Sequence, residues 1–110
     1  MSTLQVVSNY SNSVANSIQT AYTAPTGKNV SIEALTAVNT SGVNASYKAY
    51  IVSASGVEQP QIPLTVVVWG DSDLGIGAVN QVIPSGGALR FETSAVDSIY
   101  FTVTGREIDT

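Results

Sequence analysis

Asp71-Ser72-Asp73-Leu74-Gly75 opens like a calcium loop, because Asp-x-Asp supplies two carboxylates within one turn to a cation that wants several oxygens. The pattern fails as an EF-hand: the twelfth position counted from Asp71 is Val82, where a bidentate Glu belongs. Aspartates are also ordinary turn residues, and a plain turn is the reading we carry forward. A second carboxylate pair, Glu92 and Asp97, has the residue types for glycoside hydrolysis, which needs carboxyls about 5–9.5 Å apart. Nothing in their spacing puts them in one cleft, and acidic residues at strand ends are usually solvated.

Beyond these carboxylates the chain has little with which to do chemistry. Histidine and cysteine are both absent. That removes the imidazole base, the Ser-His-Asp triad, the thiolate nucleophile, the disulfide and the zinc–thiolate site. The sequence therefore predicts a protein that is not an enzyme and needs no metal or cofactor. The aromatic side chains remain. Tyr47 and Tyr100 fall in or beside strands, where core burial competes with any other role. Tyr50 lies on the face opposite Tyr47, and Trp69 stands at the end of its strand. Exposed aromatics suit sugar stacking or a protein interface. With the apolar residues near the N-terminus they give the candidate interface set Leu4, Val6, Val7, Tyr10, Tyr50 and Trp69.

The 110 residues are enough for one domain with its own core, without disulfide or metal staples. Only 11% of them are charged, against about 25% for an average globular domain. A surface rich in Ser, Thr and Asn is cheap to desolvate, which hints at coverage by other protein copies. Net charge is −4, and the four basic residues, Lys28, Lys48, Arg90 and Arg106, are scattered. No basic stripe could neutralise a run of phosphates, and no basic amphipathic segment suggests an anionic membrane. Nucleic acid and membrane are not expected partners. Met1–Val7 lacks the cationic and apolar regions of a signal peptide. The four Asn-x-Ser/Thr sequons are what 25 Ser and Thr residues produce by chance.

The elements that must position these residues read as strands. Residues 2–17 are low in complexity, and Leu4, Val6 and Val7 offer either a short strand or an arm that docks elsewhere; residues 1–17 are expected as a flexible N-terminal arm, followed by a sandwich domain over 18–110. Ile18, Thr20 and Tyr22 alternate with polar neighbours. Ala24-Pro25-Thr26-Gly27 reads as a turn. Asn29 to Asn39 predicts a long strand with Val30, Ile32, Ala34 and Val38 on one face. Ser46 to Ser53 puts Tyr47, Ala49 and Ile51 on one side. The stretch 55–63 carries two prolines and reads as a loop. Leu64 to Trp69 is a continuous apolar run, too continuous for a half-exposed edge. It must lie in the centre of a sheet or be covered by another copy. Val79–Ile83 is a short strand; Leu89, Phe91 and Thr93 alternate next, then Ile99, Phe101 and Val103. Seven or eight short strands without a helical stripe predict an all-β, antiparallel sandwich, jelly-roll-like or immunoglobulin-like, and the absence of the Cys…Trp…Cys hallmark favours the jelly roll.

From Tyr22 to Gly105 the chain resembles small virion proteins of tailed bacteriophages. The resemblance is carried by Tyr22-Thr23-Ala24-Pro25-Thr26-Gly27, by Asn39-Thr40-Ser41-Gly42, and by Tyr50-Ile51-Val52. It continues in Pro84-Ser85-Gly86-Gly87, Thr93-Ser94-Ala95 and Asp97-Ser98-Ile99. It implies a non-enzymatic structural protein of the particle, of the capsid decoration or cement type. Such a protein would bind the major capsid protein on the outer capsid surface, and itself as a homodimer or homotrimer. The alternative is a tail-tip or fibre-associated module that recognises carbohydrate.

Overall fold

The structure, a computed structural model, describes residues 3–109. They form two packed antiparallel sheets. The strands are β1 (Thr3–Tyr10), β2 (Ile18–Thr23), β3 (Lys28–Asn39), β4 (Ala45–Val52), β5 (Glu58–Val67), β6 (Ser72–Asp73), β7 (Val82–Ile83), β8 (Ala88–Thr93) and β9 (Ile99–Asp109). A single 3-10 turn, Ile76–Ala78, lies between β6 and β7. One sheet runs β1-β9-β3-β6, with β7 also paired to β3; the other runs β2-β8-β4-β5. With β6 and β7 sharing one position, this is the strand order of a jelly roll, two interleaved four-strand sheets. The sandwich read from the alternation is therefore the observed fold.

Alternation explains most of the core. Tyr47, Ala49 and Ile51 of β4, Leu89 and Phe91 of β8, and Ile99, Phe101 and Val103 of β9 all point inward. Phe91 and Phe101 stack across the two sheets at 3.8 Å between ring centroids, and Tyr47 meets Phe101 edge-on at 5.3 Å. Such pairs add roughly 0.5–1.5 kcal/mol each beyond the area they bury.

Three expectations change. On β3 the inward residues are Val30, Ile32, Leu35 and Ala37, while Ala34 and Val38 face out. The cause is a bulge: the register with β9 shifts between Ile32 and Ala34, and one extra residue, Glu33, reverses the parity of everything after it. The stretch expected as a proline-broken loop is the first half of β5, which pairs Pro60 with Tyr50 and Ile62 with Ala49. Both prolines are tolerated because β5 is an edge strand and the register shifts twice around them. Residues 3–10, expected as part of an arm, pair with β9 from Thr3↔Arg106 to Tyr10↔Phe101. Val7 is 3% exposed within the shared core, so the fold does not divide between residues 17 and 18. A jelly roll needs this strand to complete its first sheet.

The turns at 24–27 and 84–87 meet at one end of the sandwich. Ala24 exchanges backbone bonds with Gly86 and Gly87, at 3.2 and 2.8 Å, and the Gly27 N–H donates to Ser85 Oγ at 2.8 Å. The first turn closes on Pro25 and Lys28, one residue later than the sequence suggests.

Candidate functional site

The six candidate interface residues do not gather in one place. Val7 is in the core, and Val6 and Tyr10 pack against it. Tyr10 lies 6.4 Å from Phe91, tilted ring to ring. Leu4 is in β1; its side chain lies outside the described residues. Tyr50 is half-buried on the outer face of the second sheet, where its hydroxyl donates to Glu92 at 3.2 Å. Burial, then the Glu92 carboxylate, raises its pKa above the usual tyrosine value. Trp69 is different: it is 59% exposed.

Around Tyr50 the outer face is an ionic lattice. Arg90 pairs with Glu58 at 2.8 Å and donates to Thr20 Oγ1 at 2.9 Å, and Lys48 faces Glu92 across the ladder. This is an ordinary half-exposed sheet surface, self-satisfied and worth little as binding energy.

Three of the four carboxylates singled out for chemistry, Asp73, Glu92 and Asp97, are held by structure. Asp73 accepts from Tyr47 Oη at 2.5 Å and from the Gly75 N–H at 3.2 Å, closing its own turn. Burial, reinforced by Asp73, pushes the Tyr47 phenol far above its usual range. Asp71 is exposed. Asp97 accepts from Ser11 Oγ at 2.9 Å in the β8–β9 turn, whereas Glu92 takes Tyr50. Among the described residues no three acidic side chains converge on a metal-sized site. A shallow cleft of about 390 Å³ lies between the start of β5 and the β7 segment, lined by Asn29, Gln59, Gln61 and Gln81 with Ile51 and Pro84. Neutral amides could hold hydroxyl groups there, but no aromatic or charged side chain is among the residues that line the cleft.

The second half of β5 and the two residues after it are unlike the rest of the surface. Leu64 is 62% exposed, Val66 63%, Val68 51% and Trp69 59%, while Val67 between them is buried. The apolar run lies neither at the centre of a sheet nor under another part of the chain. It is half an edge strand with its outward side chains bare. Leu74 and Ile76, just beyond β6, are bare as well. An exposed apolar cluster of this kind marks an interaction surface. The sequence flagged the run but hid its position, because β5 continues N-terminally through the two prolines and is only then recognisable as an edge.

Asn39 fixes this end of β5. Its buried side-chain amide donates to the carbonyls of Val43 and Val67, both at 2.8 Å. Its Oδ1 accepts from the N–H and hydroxyl of Ser41 at 2.9 and 2.8 Å. Asn44 Oδ1 takes the Trp69 N–H at 3.2 Å. The signal was present as Asn39-Thr40-Ser41-Gly42, read as a turn with no hint that the Asn is buried.

No protein-family model matches the sequence, and no curated protein matches it. Among solved structures the chain is similar to one in "Structure of infectious bursal disease virus Gt strain", at 16% identity and a TM-score of 0.56. It is also similar to one in "Crystal structure of infectious bursal disease virus VP2 subviral particle", at 14% identity and a TM-score of 0.44. Each match covers 98% of this chain and 32% of the other, so this chain spans about a third of their length. The first likeness establishes the shared fold: an antiparallel β-sandwich also found in a virus structure.

Proposed function

We propose that this chain is a structural protein of a virus particle and acts as a capsid decoration protein. In this reading it binds the outside of a tailed-bacteriophage shell, contacts the major capsid protein and stabilises the assembled shell. The observation that carries the reading is the bare apolar stretch Leu64–Trp69, on a sandwich where Asp73, Glu92 and Asp97 each accept a hydrogen bond from a neighbouring hydroxyl. A fold hosts many functions, so the likeness to a chain of infectious bursal disease virus supports the reading without carrying it. A protein that binds only the assembled shell stabilises that state by mass action, and many modest contacts suffice.

The test is to add the purified protein to shells stripped of it, at low and high salt, and to count bound copies by mass. Saturable rebinding on the order of hundreds of copies per symmetric shell is expected. Little change with salt is expected too, because the surface offers few ion pairs to screen. Absence of rebinding, together with binding to cell-surface glycans, would replace this reading with a carbohydrate-recognising tail module.

A further inference from the structure

Four edges bound the two sheets, and three are blunted. β1 shifts register twice against β9, and β2 shifts once against β8. The far edge of the first sheet is made of β6 and β7, two residues each. Bulges and very short strands are the means by which sheet edges avoid pairing with another chain. β5 is protected only in its first half, where Glu58, Pro60, Pro63 and both register shifts fall. From Thr65↔Tyr47 through Val66↔Ser46 to Val67↔Ala45 its ladder is regular, and no charged residue occurs from Gln59 to Gly70.

The direction of the free backbone is set by the neighbouring ladder. The Ser46 carbonyl accepts the Ser94 N–H, and the Ser46 N–H donates to Ser94 Oγ, both at 2.9 Å. Ser46 therefore turns its polar groups toward β8, and Ala45 and Tyr47 turn theirs toward β5. Thr65 and Val67 meet them, so the N–H and C=O of Leu64 and Val66 point off the open edge. Their side chains stand exposed on the outer face of the same sheet.

We propose that β5 is a self-pairing edge. Two copies of this chain join by antiparallel pairing of Leu64–Val68 about a two-fold axis at Val66, making one continuous eight-stranded sheet. An open edge asks for a strand, and this strand is its own complement. With the axis at Val66, Val66 meets Val66 with each N–H facing a carbonyl, and each Leu64 meets a Val68, just past the strand, whose carbonyl also accepts the Asp71 N–H at 2.9 Å. Two chains of net charge −4 approach here without bringing like charges together, because the window has none. Pro63, which lacks an N–H, and Gly70, at φ 83°, delimit it. Five residues a side with Trp69 at each end make a contact smaller than the roughly 1,200–2,000 Å² of a standard stable interface, which fits a weak dimer in the micromolar range. This pairing is a property of the chain alone and does not rest on the virion reading.

The full chain is examined by sedimentation across roughly 1–200 µM, the range that brackets such a dimer. A monomer–dimer equilibrium is expected. Val66→Lys, which sets two like charges opposite each other, and Val66→Pro, which removes only an outward N–H, should each weaken dimerisation about tenfold or more. Their urea midpoints should stay near that of the parent monomer. Val14→Lys, on an apolar side chain 49% exposed elsewhere, should leave the dimer intact. The parent has no cysteine, so Val66→Cys gives an independent reading. Its Cα atoms would lie about 5.5 Å apart across the axis and oxidise to a covalent dimer, whereas Val57→Cys would not. A chain that sediments as a monomer throughout overturns the proposal. So does a dimer or trimer indifferent to both Val66 variants.

Discussion

Replacing Asn39 by Ala should be among the most damaging polar substitutions in this protein. The side chain is fully buried and makes four hydrogen bonds: two donated, to Val43 and Val67, and two accepted from Ser41. The Ser41 and Val43 ends lie near solvent, so water can replace those partners at little net cost. The bond to the Val67 carbonyl is buried, and a buried acceptor left alone costs about 1–3 kcal/mol on top of roughly 1 kcal/mol for each bond lost. The expected loss is about 2–4 kcal/mol, or a fall in Tm of roughly 10 °C or more. Urea unfolding monitored by Trp69 fluorescence measures it, with Asn44→Ala as control. Asn44 is exposed and gives one bond of 3.2 Å, so its loss should stay within about 0.5 kcal/mol. Asn39→Asp adds a second test. It keeps the acceptor, loses both donors and buries a carboxyl whose pKa must rise in the folded state. A raised folded pKa means the ionisation part of the penalty is absent below about pH 4, where the unfolded carboxyl is still protonated, and grows as pH rises beyond it. Equal stabilities for Asn39→Ala and Asn44→Ala would refute the role given to this amide.

Tyr47→Phe removes the bond to Asp73 and should cost about 1.5–3 kcal/mol at pH 7, measured by urea midpoint. Because the Tyr47 phenol is held neutral in the fold, its contribution is complete below about pH 10 and is lost as pH rises beyond that. The variant should accordingly lose less stability than the parent between pH 9 and about 11.5, and an identical alkaline profile would contradict this. Gly87→Ala places a Cβ against the Val52 carbonyl oxygen and 3.0 Å from that of Pro84, and should destabilise by about 1–3 kcal/mol in thermal melts. β1 is an edge strand interrupted by two register shifts, so its amides in the isolated protein should exchange far faster than those of β3 and β9. Equal protection in β1 and β9 would make residues 3–10 an ordinary strand with no capacity to act as an arm.

The sandwich was legible because inward and outward residues alternate cleanly wherever a strand is regular, as in Tyr47–Ile51 and Ile99–Val103. It was misread where a single residue changes the period. Glu33 is one such residue: alternation counted through it assigns Ala34 and Val38 to the core, and the bulge gives those places to Leu35 and Ala37. Pro60 and Pro63 misled in the opposite sense, since proline argues against a central strand but is compatible with an edge. β1 escaped because its Ser, Asn and Thr residues are weak local signals, and its stability comes from β9, nearly a hundred positions away in sequence. The apolar run at 64–69 was found, but whether it was central or peripheral depends on sheet order, which pairwise propensity does not encode.

The charges show why an uncharged edge matters in this molecule. Three of the cations form ion pairs, Lys28 with Asp109, Arg90 with Glu58 and Arg106 with Glu33, and Lys48 stands opposite Glu92 on the ladder. Taking those four acids from the eight leaves Asp71, Asp73, Asp97 and Glu107, which make up the net −4. The first three lie at or beside the loops that end the sandwich, and none lies between Gln59 and Gly70. A partner held by β5 therefore meets apolar side chains and backbone dipoles only, and its affinity should be nearly indifferent to ionic strength. A partner that uses the acidic excess must bring its own cations to the 71–73 and 97 loops, and its binding must weaken as salt rises. The two kinds of contact are told apart by salt, since one is indifferent to it and the other is weakened. A shell attachment made through the β5 run, as the decoration reading requires, should survive high salt, whereas one made through the acidic loops should be lost.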